Sequence, residues 1–254
     1  HVDELILNPA DVRIAIPDSI ASAPEPAAVE IASEQLADGV WRIAGQGHHS
    51  FAVEFADFIA VVEAPQDELR SLGVIREIER LIPGKPIEYV VNTHYHFDHS
   101  GGLRTYVARG TTVVTHAGNL DFYNNVFFYP APRTLEPDRL STLYPWFRGN
   151  RLPTTEGVTS KYVISDGRRT LDVYALQGVN HDQNMLVAYL PTEKILINAD
   201  LYSPAADAGQ TPELNENIRA LNENIQRLKL DVETHAGVHG SVGSHRVFLE
   251  AAGN

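Results

Sequence analysis

Three histidines and an aspartate fall within six positions of the stretch VVNTHYHFDHSGG, residues 90–102. They are His94, His96, Asp98 and His99, and they sit where an apolar run ends. Side chains alternate along an extended segment, so His94 and His96 point the same way. As the strand gives way to a turn, Asp98 and His99 can swing to a neighbouring point. The stretch thus offers two ligand sets for two adjacent ions, which hydrolytic two-metal sites hold roughly 3.5–4 Å apart. Neutral imidazole and carboxylate suit zinc, with iron or manganese also accommodated. A histidine-rich surface loop is the plainer reading, and it weakens once further ligands are sought.

One segment cannot complete two coordination shells. Single candidates follow later apolar runs: His181 in LQGVNHD, Asp200 in ILINAD and His239 in ETHAGVHG. The two oxygens of Asp200 could bridge both ions. That gives seven candidate ligands, with room for a bridging hydroxide. His235 lies four residues before His239 and competes for the same role.

The elements that must position these residues can be read around them. Short runs in GVWRIAGQGHHSFAVEFADFIAVVEAP read as consecutive strands. From Gln66 to Ile82 the period becomes helical, with Leu69, Leu72, Ile75, Ile78 and Ile82 on one face. IEYVVN resumes as a buried strand leading into the histidine cluster. A helix after Gly102, a strand TTVVT and another helix from about Ala117 are expected next. Residues 128–160 read as irregular. KYVIS, RTLDVYALQ, NMLVAYLP and KILINAD follow as strands. A helix over 212–229 is signalled by Thr211 as cap, Pro212 in its first turn and a stripe of Leu214, Ile218, Leu221, Ile225 and Leu228. Strands interleaved with helices favour a layered α/β sandwich. Residues 1–37, rich in Pro, Ala and Ser, are expected to form an N-terminal arm or linker, and residues 38–254 the hydrolase domain.

Composition narrows the partners. The chain has 254 residues, 43% hydrophobic and 21% charged, with a net charge of −13 at pH 7 and no cysteine. An acidic chain with no basic block is a poor match for nucleic acid, so a small-molecule substrate is expected. No apolar run approaches the roughly 18 residues of a membrane span, so no membrane partner is expected. The lack of cysteine removes disulfides, thiolate ligands and cysteine nucleophiles together. Oligomeric state is left open, as is a signal peptide or domain upstream of His1.

The cluster and its later partners resemble the metallo-β-lactamase-fold superfamily of metallohydrolases. H-x-H-x-D-H is matched by residues 94–99 and followed by Gly-Gly, and the later His, Asp and His keep the family's order. The resemblance covers most of residues 38–254. It implies a four-layer αββα sandwich with the metal site at one edge of two sheets. It also implies that His94, His96 and His181 hold one ion, that Asp98, His99 and His239 hold the other, and that Asp200 bridges them. Many members carry an aspartate where this chain has Glu63, which is expected to buttress the site from behind the ligands. Asp98 or Asp200 would orient a metal-bound hydroxide and shuttle its proton. Tyr202 could donate to a substrate oxyanion, as a tyrosine does in some lactone-cleaving relatives, or simply pack.

Other residues carry plainer readings. His116 is expected to be an ordinary hydrogen-bonded histidine near the site. His48 and His49 lie on a loop that could overhang the groove, and a surface role serves them equally well. Asp182 could support a ligand imidazole or stand exposed. Phe122, Tyr123, Phe127, Phe128, Tyr129, Tyr144, Trp146 and Phe147 could wall a pocket or form core.

The resemblance also ranks activities. Lactamases that use a cysteine at the Asp200 position are excluded, and the cysteine-free lactamases normally lack an aspartate there. Glyoxalase II relatives carry a helical domain after the last histidine, and with only 15 residues following His239 in this sequence that branch is not the expected one. His96, where the oxygen-reducing di-iron branch has glutamate, points to hydrolysis. The expected function is therefore a dinuclear metal-dependent hydrolase acting on a lactone, carboxyl ester, thioester, phosphoester or sulfate ester. It resembles an uncharacterised bacterial branch, in which signal peptides favour a periplasmic or secreted location. Two alternatives stand beside it: a cysteine-free or promiscuous β-lactamase, and a non-catalytic, metal-stabilised binding module.

Overall fold

The computed structural model describes residues 17, 18, 22, 30–128, 138–143, 154–205 and 214–253. Among them two sheets lie face to face. The first has seven strands in the order β1 to β7: Ala32–Ala37, Val40–Ala44, Ser50–Glu54, Ile59–Val62, Ile87–Val91, Thr112–His116 and Thr155–Val158. The second runs β13-β12-β11-β10-β9-β8. In chain order its strands are β8 Lys161–Ser165, β9 Thr170–Ala175, β10 Leu186–Leu190, β11 Ile195–Asn198, β12 Thr234–Gly237 and β13 Val242–Ser244. Helices α1 (Glu68–Leu81), α2 (Phe97–Ser100) and α3 (Leu103–Ala108) accompany the first sheet. Helix α6 (Glu216–Leu228) and helix α7 (His245–Ala251) accompany the second, after the short α4 (Leu120–Phe122) and α5 (Arg139–Thr142).

Alternation along the central strands builds the layers. Ala60 and Val62 face the other sheet, where they meet a core that includes Leu186, Ala188, Ile195 and Ile197. Val61 between them turns outward to Val74, Ile75 and Ile78 of α1. In the second sheet Leu196 turns outward between Ile195 and Ile197, to Ile218, Leu221 and Ile225 of α6. Strands buried on both faces read as continuous apolar runs, hence AVV and ILI with no polar alternation. The architecture is the expected αββα sandwich. No helix among the described residues is long and apolar enough to cross a membrane.

Several local expectations need correction. Residues 32–37, assigned above to the arm, form the edge strand β1 and pair antiparallel with β2. Leu69 is 72% exposed, because α1 turns Val74, Ile75 and Ile78 to the sheet instead. Helix α6 starts at Glu216, where the Asn215 side chain accepts from the Ile218 amide at 3.0 Å. That asparagine satisfies an amide at the helix start, which is the work expected of Thr211. Leu214 precedes the helix and is exposed, while Thr211 and Pro212 lie outside the described residues. The span read as irregular contributes β7 and α5, and the helix expected from Ala117 is a 3₁₀ turn, one turn of α-helix and a π turn at Tyr123–Phe127.

Candidate metal centre

Strand direction brings the candidate ligands to one edge. β4, β5 and β6 are mutually parallel, so their carboxyl ends coincide. Glu63 follows β4, and His94 to His99 follow β5. In the second sheet β11 and β12 are parallel, so Asp200 and His239 emerge side by side. β10 runs antiparallel to both β11 and β9, which puts the β9–β10 loop carrying His181 at the same edge. Ligand sites outside the carboxyl ends of strands are the usual outcome of such packing.

Two groups of donor atoms form there, with Asp200 between them. His94 Nε2 lies 3.0 Å from His96 Nδ1 and 3.1 Å from Asp200 Oδ2, and His181 Nε2 lies 2.9 Å from the same oxygen. On the other side His99 Nε2 is 3.1 Å from Asp200 Oδ2 and 3.2 Å from His239 Nε2, which in turn is 2.9 Å from Asp200 Oδ1. Asp98 Oδ2 closes this second group at 3.4 Å from His99 Nε2 and 3.9 Å from His239 Nε2.

Partners behind the cluster face the second ring nitrogen of His99, His239 and His94. Glu63, wholly buried, accepts from the Thr93 amide at 2.7 Å and holds His99 Nδ1 at 2.6 Å. The carbonyl of Gly47 lies 3.0 Å from His239 Nδ1, and Thr93 Oγ1 lies 3.0 Å from His94 Nδ1. Two residues of this assembly have left-handed backbone, Glu63 (φ 71°) and Asp200 (φ 62°). At Asp200 the Leu201 amide donates to the Ala199 carbonyl at 2.7 Å, a three-residue turn of strained sense that aims the carboxylate back into the cluster. Strain of this kind persists only where surrounding contacts over-determine it.

The protons show that the donor set suits a cation. His99 Nδ1 faces a carboxylate and His239 Nδ1 a carbonyl, so both carry hydrogen on Nδ1. Both Nε2 atoms then present lone pairs, 3.2 Å apart and against the Asp200 oxygens. His181 Nε2, 2.9 Å from Asp200 Oδ2, is likewise buried with no well-aligned hydrogen bond among the described residues. Acceptors facing acceptors need a positive charge between them. Where no metal competes, a proton serves: burial opposes charge on His99, but Glu63 and Asp200 outweigh it and raise its pKa to about 10. Burial likewise disfavours the Asp200 carboxylate, yet contacts from His239, His94 and His99 hold it far below the ordinary carboxylate range. His/Asp groups that could hold an ion are His94, His96, His181 and Asp200; His99, Asp200 and His239; and His48, Asp98 and His239.

All seven residues singled out as ligands are thus brought together, with Glu63 behind them. Of the rival pair, His239 joins the cluster. His235 is buried in β12 with its Nε2 2.9 Å from His245 Nδ1 and its ring stacked on Phe248. Tyr202 packs there too, its ring 5.0 Å from that of Phe248 and its buried hydroxyl without a partner among the described residues. It follows the tight turn at Asp200 and lies buried in the core beneath α7. His116 stands outside the cluster, its Nδ1 accepting from the Gly118 amide at 3.1 Å. Asp182 shapes its own loop by accepting from the Asn184 amide. Of the proposed aromatic wall, Tyr123 and Phe128 are core, Phe122 is exposed, and Tyr129, Tyr144, Trp146 and Phe147 lie outside the described residues.

Four residues support the cluster in ways the sequence does not show: Asn92 and Gln66 have no assigned role there, Tyr123 is expected as pocket wall or core, and His48 as a loop residue over the groove. Tyr123, in the π turn, donates to Asn92 Oδ1 at 2.5 Å, and Asn92 Nδ2 donates to the His99 carbonyl at 3.4 Å. Gln66 approaches His48, whose ring reaches Asp98. The Gly-Gly after the motif was a signal without a reason. A Cβ on Gly101 would stand 1.8 Å from the Gln66 carbonyl oxygen, and one on Gly102 2.0 Å from Ser71 Oγ.

The sequence pattern of the metallo-beta-lactamase superfamily matches residues 62–246, from the end of β4 into α7. A metallo-beta-lactamase from Pontibacter korlensis is similar in structure, with a TM-score of 0.65 at 17% identity over 88% of this chain and 98% of that one. The metallo-beta-lactamase FIM-1 from Pseudomonas aeruginosa, in a mono-zinc form, gives 0.62 at 19% identity over 90% and 96%. A metallo-beta-lactamase from Hirschia baltica gives 0.60 at 15% over 87% and 96%. At these identities the likeness is one of fold.

Proposed function

From the premise that this chain belongs to the metallo-beta-lactamase superfamily and is a metal-dependent hydrolase, we propose that it binds two divalent ions, zinc foremost, and cleaves an ester-type bond of a small molecule. The observation that carries the two-ion reading is the placement of Asp200 between both groups, with Oδ2 against His94, His181 and His99 and Oδ1 against His239. His94, His96 and His181 would hold one ion and Asp98, His99 and His239 the other, with Asp200 against both groups. The ions supply acidification of a water and polarisation of the oxygen that gains charge. Asp98 is the most open of the carboxylates, with 48% of its side chain exposed against 15% for Asp200. Its carboxylate would take the proton of the attacking water and pass it to the leaving group. Asp200 holds the cluster's geometry.

An ester, lactone, thioester, phosphoester or sulfate ester is favoured over a β-lactam by the carboxylate at residue 200 in a chain without cysteine. Cleavage of β-lactams is the second reading, suggested by the names of the proteins similar in fold. The test is metal content per chain, paired with turnover of a lactone, a thioester, a phosphodiester, an aryl sulfate and a cephalosporin. Two ions, with turnover lost in both His96→Ala and Asp200→Ala, support the proposal, and the best substrate names the bond. Less than one ion after reconstitution, without turnover, overturns it in favour of a binding module.

A further inference from the structure

We propose that His48, oriented by Gln66, is the positioning residue for the Asp98 carboxylate and thereby sets the affinity of the second ion position. This rests on the two-ion reading above. His48 belongs to the loop between β2 and β3, and neither its spacing nor its neighbours in the chain tie it to the metal cluster. The fold does. His48 Nε2 lies 3.3 Å from Asp98 Oδ2, and its ring stands edge-on to that of His239 at 4.4 Å between centroids. Among the described side chains, His48 gives the Asp98 carboxylate the one hydrogen bond it receives outside the ligand set.

The proton on His48 follows from its partners. An ionised carboxylate only accepts, so Nε2 carries the hydrogen and Nδ1 is left as an acceptor. Gln66 Nε2 lies 3.3 Å from Nδ1 and fills that need. The Gln46 carbonyl, also 3.3 Å from Nδ1, would select the opposite tautomer and leave Nε2 with nothing to donate to Asp98. Gln66 is itself tied to the motif, because its amide donates to the Asp98 carbonyl at 3.3 Å and its φ is 64°. One chain of contacts therefore runs from Gln66 through His48 to Asp98.

The loop is held rigidly enough for this work. Arg70, wholly buried, donates from Nη2 to the His48 carbonyl at 2.8 Å and to the Ile43 carbonyl at 3.2 Å. The His49 amide donates to the Val238 carbonyl at 2.9 Å, and His49 Nε2 meets the Gly240 carbonyl at 2.9 Å. The same loop supplies the Gly47 carbonyl to His239. A side chain as open as Asp98 keeps two rotatable bonds unless something fixes them, and partners behind metal ligands are worth about 10–100-fold in metal affinity.

The experiment is a zinc titration of the full chain against a chromophoric chelator, comparing wild type with His48→Ala, His48→Gln and Gln66→Ala. In wild type two ions bind. In His48→Ala the first ion binds as before and the second is weakened about 10–100-fold. His48→Gln, which can still donate to Asp98, recovers part of the loss, and Gln66→Ala shows a smaller loss of the same kind. An unchanged second affinity in His48→Ala, or equal weakening of both ions, overturns the role of His48 alone. A wild type that binds a single ion overturns the two-ion reading and this inference with it. Should His48→Ala fail to fold, Gln66→Ala carries the same comparison.

Discussion

The Glu63 carboxylate and the His99 imidazole meet at 2.6 Å with neither side chain reaching solvent. The second Glu63 oxygen is anchored on the Thr93 amide, one residue before His94. One side chain therefore orients a donor of each ion group. Glu63→Gln keeps the shape and removes the charge. Its metal affinity should fall about 10–100-fold, read by chelator competition. An affinity equal to wild type would show that charge behind His99 is irrelevant.

Metal removal should cost folding stability, because the proton that then sits on His99 replaces only part of the positive charge the Asp98 and Asp200 carboxylates face. An ion at 100 times its dissociation constant stabilises the folded state by about 2.7 kcal/mol. Calorimetry with and without a chelator should therefore show a lower Tm for the stripped protein, restored by zinc. A Tm indifferent to zinc would count against a metal role for the cluster.

Gly101 has a φ of −59°, which alanine adopts without strain. Its obstacle is the Gln66 carbonyl, 1.8 Å from where a Cβ would stand. Backbone cannot rotate aside as a side chain can, so Gly101→Ala should cost about 1–3 kcal/mol in denaturant unfolding. A neutral substitution would mean that α2 and the β4–α1 loop shift apart freely.

Burial, and then the neighbouring His245, depress the pKa of His235 to about 3. The unfolded chain takes up that proton near pH 6.5, so its population grows as pH falls. Stability from a neutral His235 is present above about pH 6.5 and lost progressively towards pH 3, by a few kcal/mol at most. In metal-free protein His235→Phe should flatten the decline between those limits relative to wild type. Parallel curves would remove His235 as a cause.

The ligand motif was legible because its spacing is local: six residues at a strand end carry four donors. Strands β10 and β11 were legible because burial on both faces leaves unbroken apolar runs. The edge strand β8 was still legible in KYVIS, but β1 and β7 were not. β1, with the sequence ASEQLA, and β7, with TEGV, are half-exposed and lack those runs. Leu69 and Leu214 show the limit of helical periodicity, since each fits the apolar stripe and each is exposed where the sheet is out of reach. His48 and Gln66 were invisible as a pair because their contact is made only when two loops of the first sheet fold over the motif. His245 escaped notice for a similar reason: it opens α7 after β13, while its partner His235 lies in the neighbouring strand β12.

The donor set draws on both sheets: His94 to His99 from the first, His181, Asp200 and His239 from the second. Neither half alone offers a complete site. Tight metal capture must therefore wait until the two halves have docked face to face, which makes it a clock for the last stage of folding. In a refolding reaction, the appearance of slowly exchanging metal would date the closure of the sandwich, while backbone signals date the sheets.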